Sequence, residues 1–185
     1  RFDCINAGIP SMGSTPGAFR LERDVLSRGR IDLLFVEAAV NDSTNGRSPA
    51  EMLRGMEGIV RHARRANRRT DIVLLHFVDP EKMETIRRGE TPEVIRIHER
   101  VAEHYGAPSL NLAREVTERI DAGEFTWDKD FVNLHPSPFG QRLYHRSIIR
   151  LLDAAWRDPA TPAEHPMPPP LDPHSYDRGR LVSIK

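Results

Sequence analysis

Two apolar runs stand out in the hydrophobic pattern of the chain. Residues 32–40 and 71–77 are rich in branched and bulky side chains, and each run is too short to cross a membrane. Apolar runs of this length without alternation are typical of strands that are buried on both faces of a parallel sheet. Shorter runs at residues 2–5 and 109–112 predict two further strands.

The segments between these runs have apolar residues at helical spacing. Ser48 and Glu51 have the spacing of a capping box and begin a long amphipathic helix. Thr15, which is followed by proline, predicts the N-cap of an earlier helix. Residues 78–90 contain a proline and several charges, and we predict a mobile surface loop there. The remaining helices are predicted over residues 91–105, 113–122 and 138–156.

Strands and helices therefore alternate along most of the chain, with short connections. This order predicts a parallel sheet covered by helices on both faces, because parallel neighbours need a crossover that a helix provides. The alternative is an all-helical bundle, which would have to accommodate two β-rich runs that are too short for bundle helices. The pattern favours the α/β fold.

Composition narrows the classes of function. The chain has 185 residues, 38% of them hydrophobic, which is enough for one sizeable core. Its 27 basic and 27 acidic side chains balance, so no general attraction to nucleic acid or to an anionic membrane is expected. Cys4 is the sole cysteine, which excludes an internal disulfide and a cysteine metal site. No membrane-spanning segment or signal peptide is recognisable, and the compartment and oligomeric state stay open.

Proline content changes towards the end of the chain. We predict one domain over residues 1–157 and a proline-rich linker from residue 158 onwards. Residues 180–184 resemble the start of a β-rich segment, which hints at a downstream domain. The chain begins at Arg1 without methionine and almost at once enters a predicted strand, so we expect an upstream part of the natural protein.

Four residues could contribute chemistry at the carboxyl edge of such a sheet. Asn41 ends the first long apolar run, where α/β sheets bind ligands, although it could simply shape a turn. Gly8 follows the first predicted strand, and its N–H could approach a ligand or serve a turn. His135 lies in an aromatic, proline-rich loop, and it suits either a general base or a surface role. His76 could line the site or be a satisfied structural histidine.

Three segments of the sequence match a known family in order. Residues 5–14 (INAGIPSMGS), 35–42 (FVEAAVND) and 134–140 (LHPSPFG) resemble the second, third and fifth conserved blocks of the SGNH or GDSL-type esterases. The resemblance implies a three-layer, flavodoxin-like fold. It also implies hydrolysis of carboxylic esters without a metal or cofactor, often of short acyl esters on carbohydrates.

The resemblance assigns roles to matching residues. His135 would be the general base that takes a proton from the nucleophilic serine. The backbone N–H of Gly8 and the side-chain amide of Asn41 would be two donors to the oxyanion of the tetrahedral intermediate.

The sequence departs from the family pattern at three points. The nucleophilic serine of the family lies in a first block that this chain does not contain, so we expect the chain alone to be inactive. Ala39 stands where the third block usually has glycine. Val132 stands where the acid partner of the histidine is usual. Asp130 is the nearest acid and our choice of partner, while Asp128, Asn133 or a Ser–His dyad are the alternatives.

The sequence thus predicts an SGNH-type ester hydrolase that acts on a small-molecule or carbohydrate ester. The alternative is a non-catalytic flavodoxin-like module that binds carbohydrate or serves as a scaffold. A nucleotide-binding α/β protein is disfavoured, because no glycine-rich phosphate loop follows a predicted strand.

Overall fold

The computed structural model describes residues 3–161 and 163–182. The alternation of strands and helices that the sequence predicts is confirmed. In chain order the elements are α1 (Ser14–Asp24), a 3₁₀ turn (Leu26–Arg28), β1 (Leu33–Glu37), α2 (Ala39–Thr44), α3 (Pro49–Ala66), β2 (Asp71–Leu75), α4 (Pro80–Arg87), α5 (Glu93–Tyr105), β3 (Ser109–Leu110), α6 (Leu112–Asp121), a π-helical turn (Trp127–Phe131) and α7 (Pro138–Arg157).

The strands form one parallel sheet in the order β1-β2-β3. β1 and β2 pair along their whole length, from Leu33 opposite Asp71 to Glu37 opposite Leu75. β3 is shorter and pairs with the end of β2. Because the strands are parallel, they end at the same edge, and the segments that follow them meet there.

The side chains of β2 alternate between two hydrophobic cores. Ile72 and Leu74 belong to a core that also contains residues of α1, α3 and the second half of α5. Val73 and Leu75 belong to a core with residues of α6 and α7. Helices therefore cover both faces of the sheet, which gives the three-layer α/β fold.

Capping signals explain where two helices begin. Ser48 and Glu51 form the predicted capping box at α3, in which the Ser48 N–H donates to Glu51 Oε2 at 2.9 Å. Asp79 caps α4 and accepts from the Lys82 N–H, with proline at the first helical position. The prediction of a mobile loop over residues 78–90 is therefore wrong, because a capping aspartate followed by proline begins a helix there.

The first long strand is shorter than predicted. β1 ends at Glu37, and the chain then turns into the short helix α2. The Glu37 carboxylate accepts from the Val40 N–H at 3.2 Å, which satisfies one of the free N–H groups at the start of α2. Asn41 therefore lies on a short helix after the strand and not at the strand end.

Two further boundaries differ from prediction. Residues 3–5 are not a strand, and residue 2 of that predicted strand lies outside the described residues. The N-cap of α1 is Gly13 and not Thr15, because the Ser14 N–H meets an acceptor from another element, described below. The helix therefore begins at Ser14, two residues earlier than a cap at Thr15 predicts.

After α7 the chain returns to the domain. Residues 163–182 form turns and extended chain without a strand, and residues 183 and 184 of the predicted β-rich segment lie outside the described residues. Met167, Leu171 and Tyr176 pack against the core beneath α1, α3 and α5. The division into a domain and a linker stays a prediction. None of the helices in the described ranges combines the length and apolar character that crossing a membrane requires.

Candidate active site

Two of the three predicted site segments are joined by hydrogen bonds. The Ser14 N–H at the start of α1 donates to Asp42 Oδ1 on α2 at 2.8 Å. The Asn45 side-chain amide at the end of α2 donates to the Ser11 carbonyl at 3.0 Å. The loop before α1 and helix α2, which carry the two predicted oxyanion donors, are therefore anchored on each other.

The Asn41 amide is available to a ligand. Asn41 is half-buried on α2, directly after the strand β1. Within the described ranges its side chain has no hydrogen-bond partner, whereas the next residue, Asp42, is fully buried and bonded. A half-buried amide without an internal partner, beside a fixed residue, can donate to a substrate oxygen without first breaking an internal contact.

The Gly8 N–H already has a partner. It donates to Asn6 Oδ1 at 3.0 Å, in an exposed turn of the loop before α1. An oxyanion at Gly8 would therefore have to replace the Asn6 side chain, which lies at the surface and can move away. The predicted role of Gly8 requires this exchange.

The His135 ring is exposed and free. Its backbone N–H donates to Asn133 Oδ1 at 2.7 Å, and among the described residues the imidazole has no hydrogen-bond partner. The Asp130 carboxylate instead accepts from the Thr126 N–H at 2.7 Å and from the Thr126 hydroxyl at 3.0 Å. Asp130 is thus engaged at the start of the π-helical turn, and its assignment as the acid partner stays a prediction.

The backbone is strained at Val132, three residues before His135. Val132, which stands where the family has its acid, has φ 83° and ψ −56°. A β-branched residue at positive φ is uncommon, and such a conformation costs on the order of 1–3 kcal/mol. The π-helical turn of residues 127–131 comes directly before it. Strain and π-helical turns both concentrate at functional sites, but no signal in the sequence predicts either one here.

Aromatic contacts attach the loop that carries His135 to the carboxyl edge of the sheet. Phe77, which follows β2, stacks on Tyr144 of α7 with ring centroids 4.4 Å apart. The Val78 N–H donates to the Tyr144 hydroxyl at 3.1 Å, and Phe131 packs against the same ring. Burial raises the pKa of Tyr144, so its hydroxyl stays protonated. The third predicted segment is therefore tied to the segment that follows β2.

A buried polar layer lies among the segments that follow the strands. His98 Nε2 donates to Asp42 Oδ2 at 3.0 Å, and His76 Nε2 is 2.7 Å from Glu99 Oε1. The two imidazole rings have centroids 6.0 Å apart, and both are fully buried. Glu99 also accepts from the Ser109 hydroxyl at 2.9 Å. His76 is therefore held through Nε2, while its buried Nδ1 atom has no hydrogen-bond partner among the described residues, and both interpretations of its role stay predictions.

Burial and hydrogen bonding shift the pKa values of ionisable groups in and near this layer. Burial lowers the pKa of His98, which is consistent with a neutral ring that donates from Nε2 to the carboxylate. The hydrogen bond from His76 holds the pKa of Glu99 below its usual value. Burial raises the pKa of Glu37. One signal in the sequence could have identified His98, since this residue falls on the apolar face of its helix.

A polar cavity of about 410 Å³ lies beside α2. Lys82 borders it and forms an ion pair with Asp79, and Lys82 also donates to the Ser43 hydroxyl at 3.4 Å. Acidic and hydroxyl side chains of α4 and of the segment before α5 also line it, including Glu90 and Thr91, together with the apolar residues Met52 and Val94. In the part of the chain that the structure describes, no group of three or more His, Cys, Asp or Glu residues is arranged to hold a metal ion.

The fold and these segments place the chain in the GDSL class of α/β proteins, and comparison with known families agrees. The chain belongs to the GDSL-like lipase/acylhydrolase family, whose model matches residues 1–143. The predicted family is therefore confirmed. Comparison with curated protein sequences gives no match.

Solved structures of esterases resemble the chain. One is a two-domain esterase (CEX) active on acetylated mannans, crystallised with mannopentaose, with 27% identity and a TM-score of 0.76 over 94% of this chain and 43% of that one. A second structure of a two-domain esterase (CEX) active on acetylated mannans has 27% identity and a TM-score of 0.75, over 92% and 43% of the two chains. This chain therefore spans less than half the length of those proteins.

A third structure shows the fold alone. The lipase/acylhydrolase from Enterococcus faecalis has 20% identity to the chain and a TM-score of 0.62, over 86% of this chain and 78% of that one. The parallel sheet with helices on both faces is therefore shared with that structure.

Proposed function

We propose that this chain supplies most of the active site of a serine ester hydrolase. The observation that carries the proposal is the anchoring of the loop before α1 on α2, through Ser14 to Asp42 and Asn45 to Ser11. This contact joins two segments that resemble conserved blocks of the GDSL-type esterases, and both lie within the residues 1–143 that the family model matches. The third segment, with His135, is attached to the same edge of the sheet through Tyr144.

In the proposed mechanism, His135 takes the proton of a serine hydroxyl while the serine oxygen attacks the ester carbonyl. The carbonyl oxygen becomes an oxyanion that accepts from the Asn41 amide and from the Gly8 N–H, once Asn6 has moved away. The leaving alcohol then takes the proton from the imidazolium. A water molecule repeats the sequence on the acyl-enzyme and releases the acid.

The serine is proposed to lie on a further strand that pairs with β1. Within the described residues β1 is an edge strand, yet its first four side chains are apolar and Phe35 is 37% exposed. Apolar edge strands are usually covered or paired. A parallel strand there would end at the same edge as Asn41, within the region to which His135 is attached.

A short acyl ester on a carbohydrate is the proposed substrate. The polar cavity beside α2 offers carboxylates, hydroxyls and Lys82, which are groups that bind sugar hydroxyls. A 27% identical two-domain esterase is active on acetylated mannans. Both observations favour a carbohydrate over a long acyl chain.

The test uses the longer protein that carries the serine block. It should hydrolyse p-nitrophenyl acetate and release acetate from acetylated mannan. His135→Ala should abolish both activities, and Asn41→Ala should lower kcat by about 100- to 1,000-fold, the usual effect of removing one oxyanion donor. His145→Ala is the matched control, since His145 is an exposed histidine of α7 and should leave turnover unchanged.

Undiminished turnover by the His135→Ala variant would exclude the proposed mechanism. A longer protein that binds mannan but hydrolyses no ester would instead favour the non-catalytic carbohydrate-binding module.

A further inference from the structure

We propose that Asp42 is a positioning residue that fixes the two oxyanion donors relative to each other. The inference rests on the proposed function, because it concerns how the Gly8 N–H and the Asn41 amide come to face one oxyanion. Asp42 itself touches no reacting atom in the proposed mechanism. It acts through the loop before α1 and through α2.

Both oxygens of Asp42 are used inside the protein. Oδ1 accepts from the Ser14 N–H at 2.8 Å, and Oδ2 accepts from His98 Nε2 at 3.0 Å. The residue is 0% exposed, and it joins α1, α2 and α5 at one point. A buried carboxylate is weak evidence for stability, since its desolvation offsets its contacts. We therefore ascribe its presence to the geometry that it fixes.

The loop before α1 passes directly over this carboxylate. A Cβ placed on Gly13 would lie 2.1 Å from Asp42 Oδ1, so no side chain fits between the loop and the acid. The carboxylate also lies at the start of the 11-residue helix α1, where the helix dipole favours a negative charge. The path of the loop that carries Gly8 is thus set by Asp42, whose chain neighbour is Asn41.

His98 holds the second oxygen and limits how Asp42 can turn. The His98 ring is fully buried, and its Nδ1 atom has no hydrogen-bond partner among the described residues. Its orientation therefore depends on the contact between Nε2 and Asp42. His76 packs beside it and is held in turn by Glu99, so the carboxylate is supported by a layer that reaches across the sheet edge.

Two substitutions of Asp42 separate positioning from charge. Asparagine keeps an oxygen for the Ser14 N–H, and its amide can donate to His98 if the imidazole proton moves to the free Nδ1 atom. Alanine removes both contacts and leaves the Ser14 N–H without its acceptor. If Asp42 acts by position, asparagine should replace it and alanine should not.

The kinetic experiment uses the longer, active protein. Asp42→Ala should lower kcat about 100-fold, the effect expected of a small misplacement in an active site, with KM nearly unchanged because oxyanion contacts form in the transition state. Asp42→Asn should restore most of kcat. Tyr105→Phe is the matched control: it removes a buried hydrogen bond to Glu57 of 2.7 Å, and it should lower Tm without changing kcat.

Hydrogen exchange of the Ser14 N–H is a second test, which follows its contact with Asp42 in the present chain. The Ser14 N–H should exchange slowly with solvent deuterium in the unmodified chain and in Asp42→Asn, and quickly in Asp42→Ala. If Asp42→Ala does not fold, His98→Leu takes its place, since it frees only Oδ2. We expect that variant to lower kcat several-fold with KM unchanged.

The results distinguish this inference from the proposed function. Wild-type turnover by His135→Ala or Asn41→Ala would overturn the proposed function. If those two variants are inactive while folded Asp42→Ala turns over like the unmodified enzyme, only the role of Asp42 is overturned. It is also overturned if Asp42→Asn is as slow as Asp42→Ala, because the charge and not the position would then matter.

Discussion

Packing at Gly13 leaves no room for a side chain. An added methyl group would lie 2.1 Å from Asp42 Oδ1 and 3.2 Å from the Asp42 backbone nitrogen, so the backbone would have to shift. We expect Gly13→Ala to destabilise the chain by about 1–3 kcal/mol, the usual effect of overpacking. Urea unfolding followed by circular dichroism measures the change.

Gly17→Ala is the control for this prediction. Gly17 lies inside α1, and its added Cβ would meet only the flexible end of Ile59 at 3.0 Å. Alanine is preferred over glycine in a helix by about 1 kcal/mol, so this variant should be neutral or more stable. Equal destabilisation by both variants would contradict the special role of the Gly13 contact.

Glu99 predicts a dependence of stability on pH. The hydrogen bond from His76 lowers the pKa of the Glu99 carboxyl below its ordinary value of 4.5, so the ionised form is favoured in the folded state. The stabilisation of the folded state by ionised Glu99 is fully present above pH 4.5, and it is lost as the pH falls through the pKa of Glu99 in the folded state. Glu99→Gln should therefore be less stable than the unmodified chain at pH 7, and the difference should shrink in acid.

Urea unfolding of both chains at pH 7 and near pH 3 tests this expectation. A difference between the two chains that stays constant over this range would show that ionised Glu99 does not contribute.

For single residues, the sequence predicts candidates for the site but not their hydrogen-bond partners. Asn41 could be found because it matches a motif. The bond between His98 and Asp42 could not be found, because the two residues are 56 positions apart and only the fold brings them together. The conformation of Val132 was equally hidden, since β-branched residues disfavour positive φ.

The elements were predictable where their signals were long and periodic. α3 and the buried strand β2 appear where the hydrophobic pattern places them. α2 was missed because it has six residues, too few for a periodic pattern, and its apolar start continues the composition of β1. Its first turn depends on the Glu37 carboxylate, a contact that a pattern of apolar positions does not contain.

The capping box of α3 supports a prediction for a whole element. Ser48 accepts from the Glu51 N–H at 3.3 Å and thus satisfies one free donor at the start of an 18-residue helix. Ser48→Ala should lower the free energy of unfolding by about 1 kcal/mol. Ser48→Asp keeps an acceptor at the N-cap and should be close to the unmodified chain in the same urea titration. An alanine variant as stable as the aspartate variant would contradict this role.

For the whole molecule, the outward face of α3 is explained by the segment that follows α7. Arg61 forms an ion pair with Asp177 at 2.9 Å and donates to the Pro168 carbonyl at 2.8 Å. A Cβ on Gly58 would lie 2.9 Å from the backbone of Tyr176. The sequence shows Arg61 at the start of a basic run, residues 61–69, and it cannot show that a distant segment contacts this residue.

Glu57 is the centre of this contact. It is fully buried on α3, and it accepts from the Leu171 N–H at 2.5 Å, from the Asp172 N–H at 3.1 Å and from the Tyr105 hydroxyl at 2.7 Å. Two of its three partners therefore belong to the C-terminal segment. A buried carboxylate that loses hydrogen-bond partners is destabilising by about 1–3 kcal/mol.

A double-mutant cycle tests whether the segment closes the fold in this way. In the full chain, Glu57→Gln should be destabilising, since an amide presents one acceptor oxygen in place of two. After removal of residues 163–185 the same substitution should have little effect, because the backbone donors are gone and water reaches position 57. The two changes should therefore couple by at least about 0.5 kcal/mol, as contacting groups do.

Ser48→Ala, which touches no residue of the segment, should have the same effect in both backgrounds. Equal effects of Glu57→Gln with and without residues 163–185 would mean that the segment lies on the domain without stabilising it.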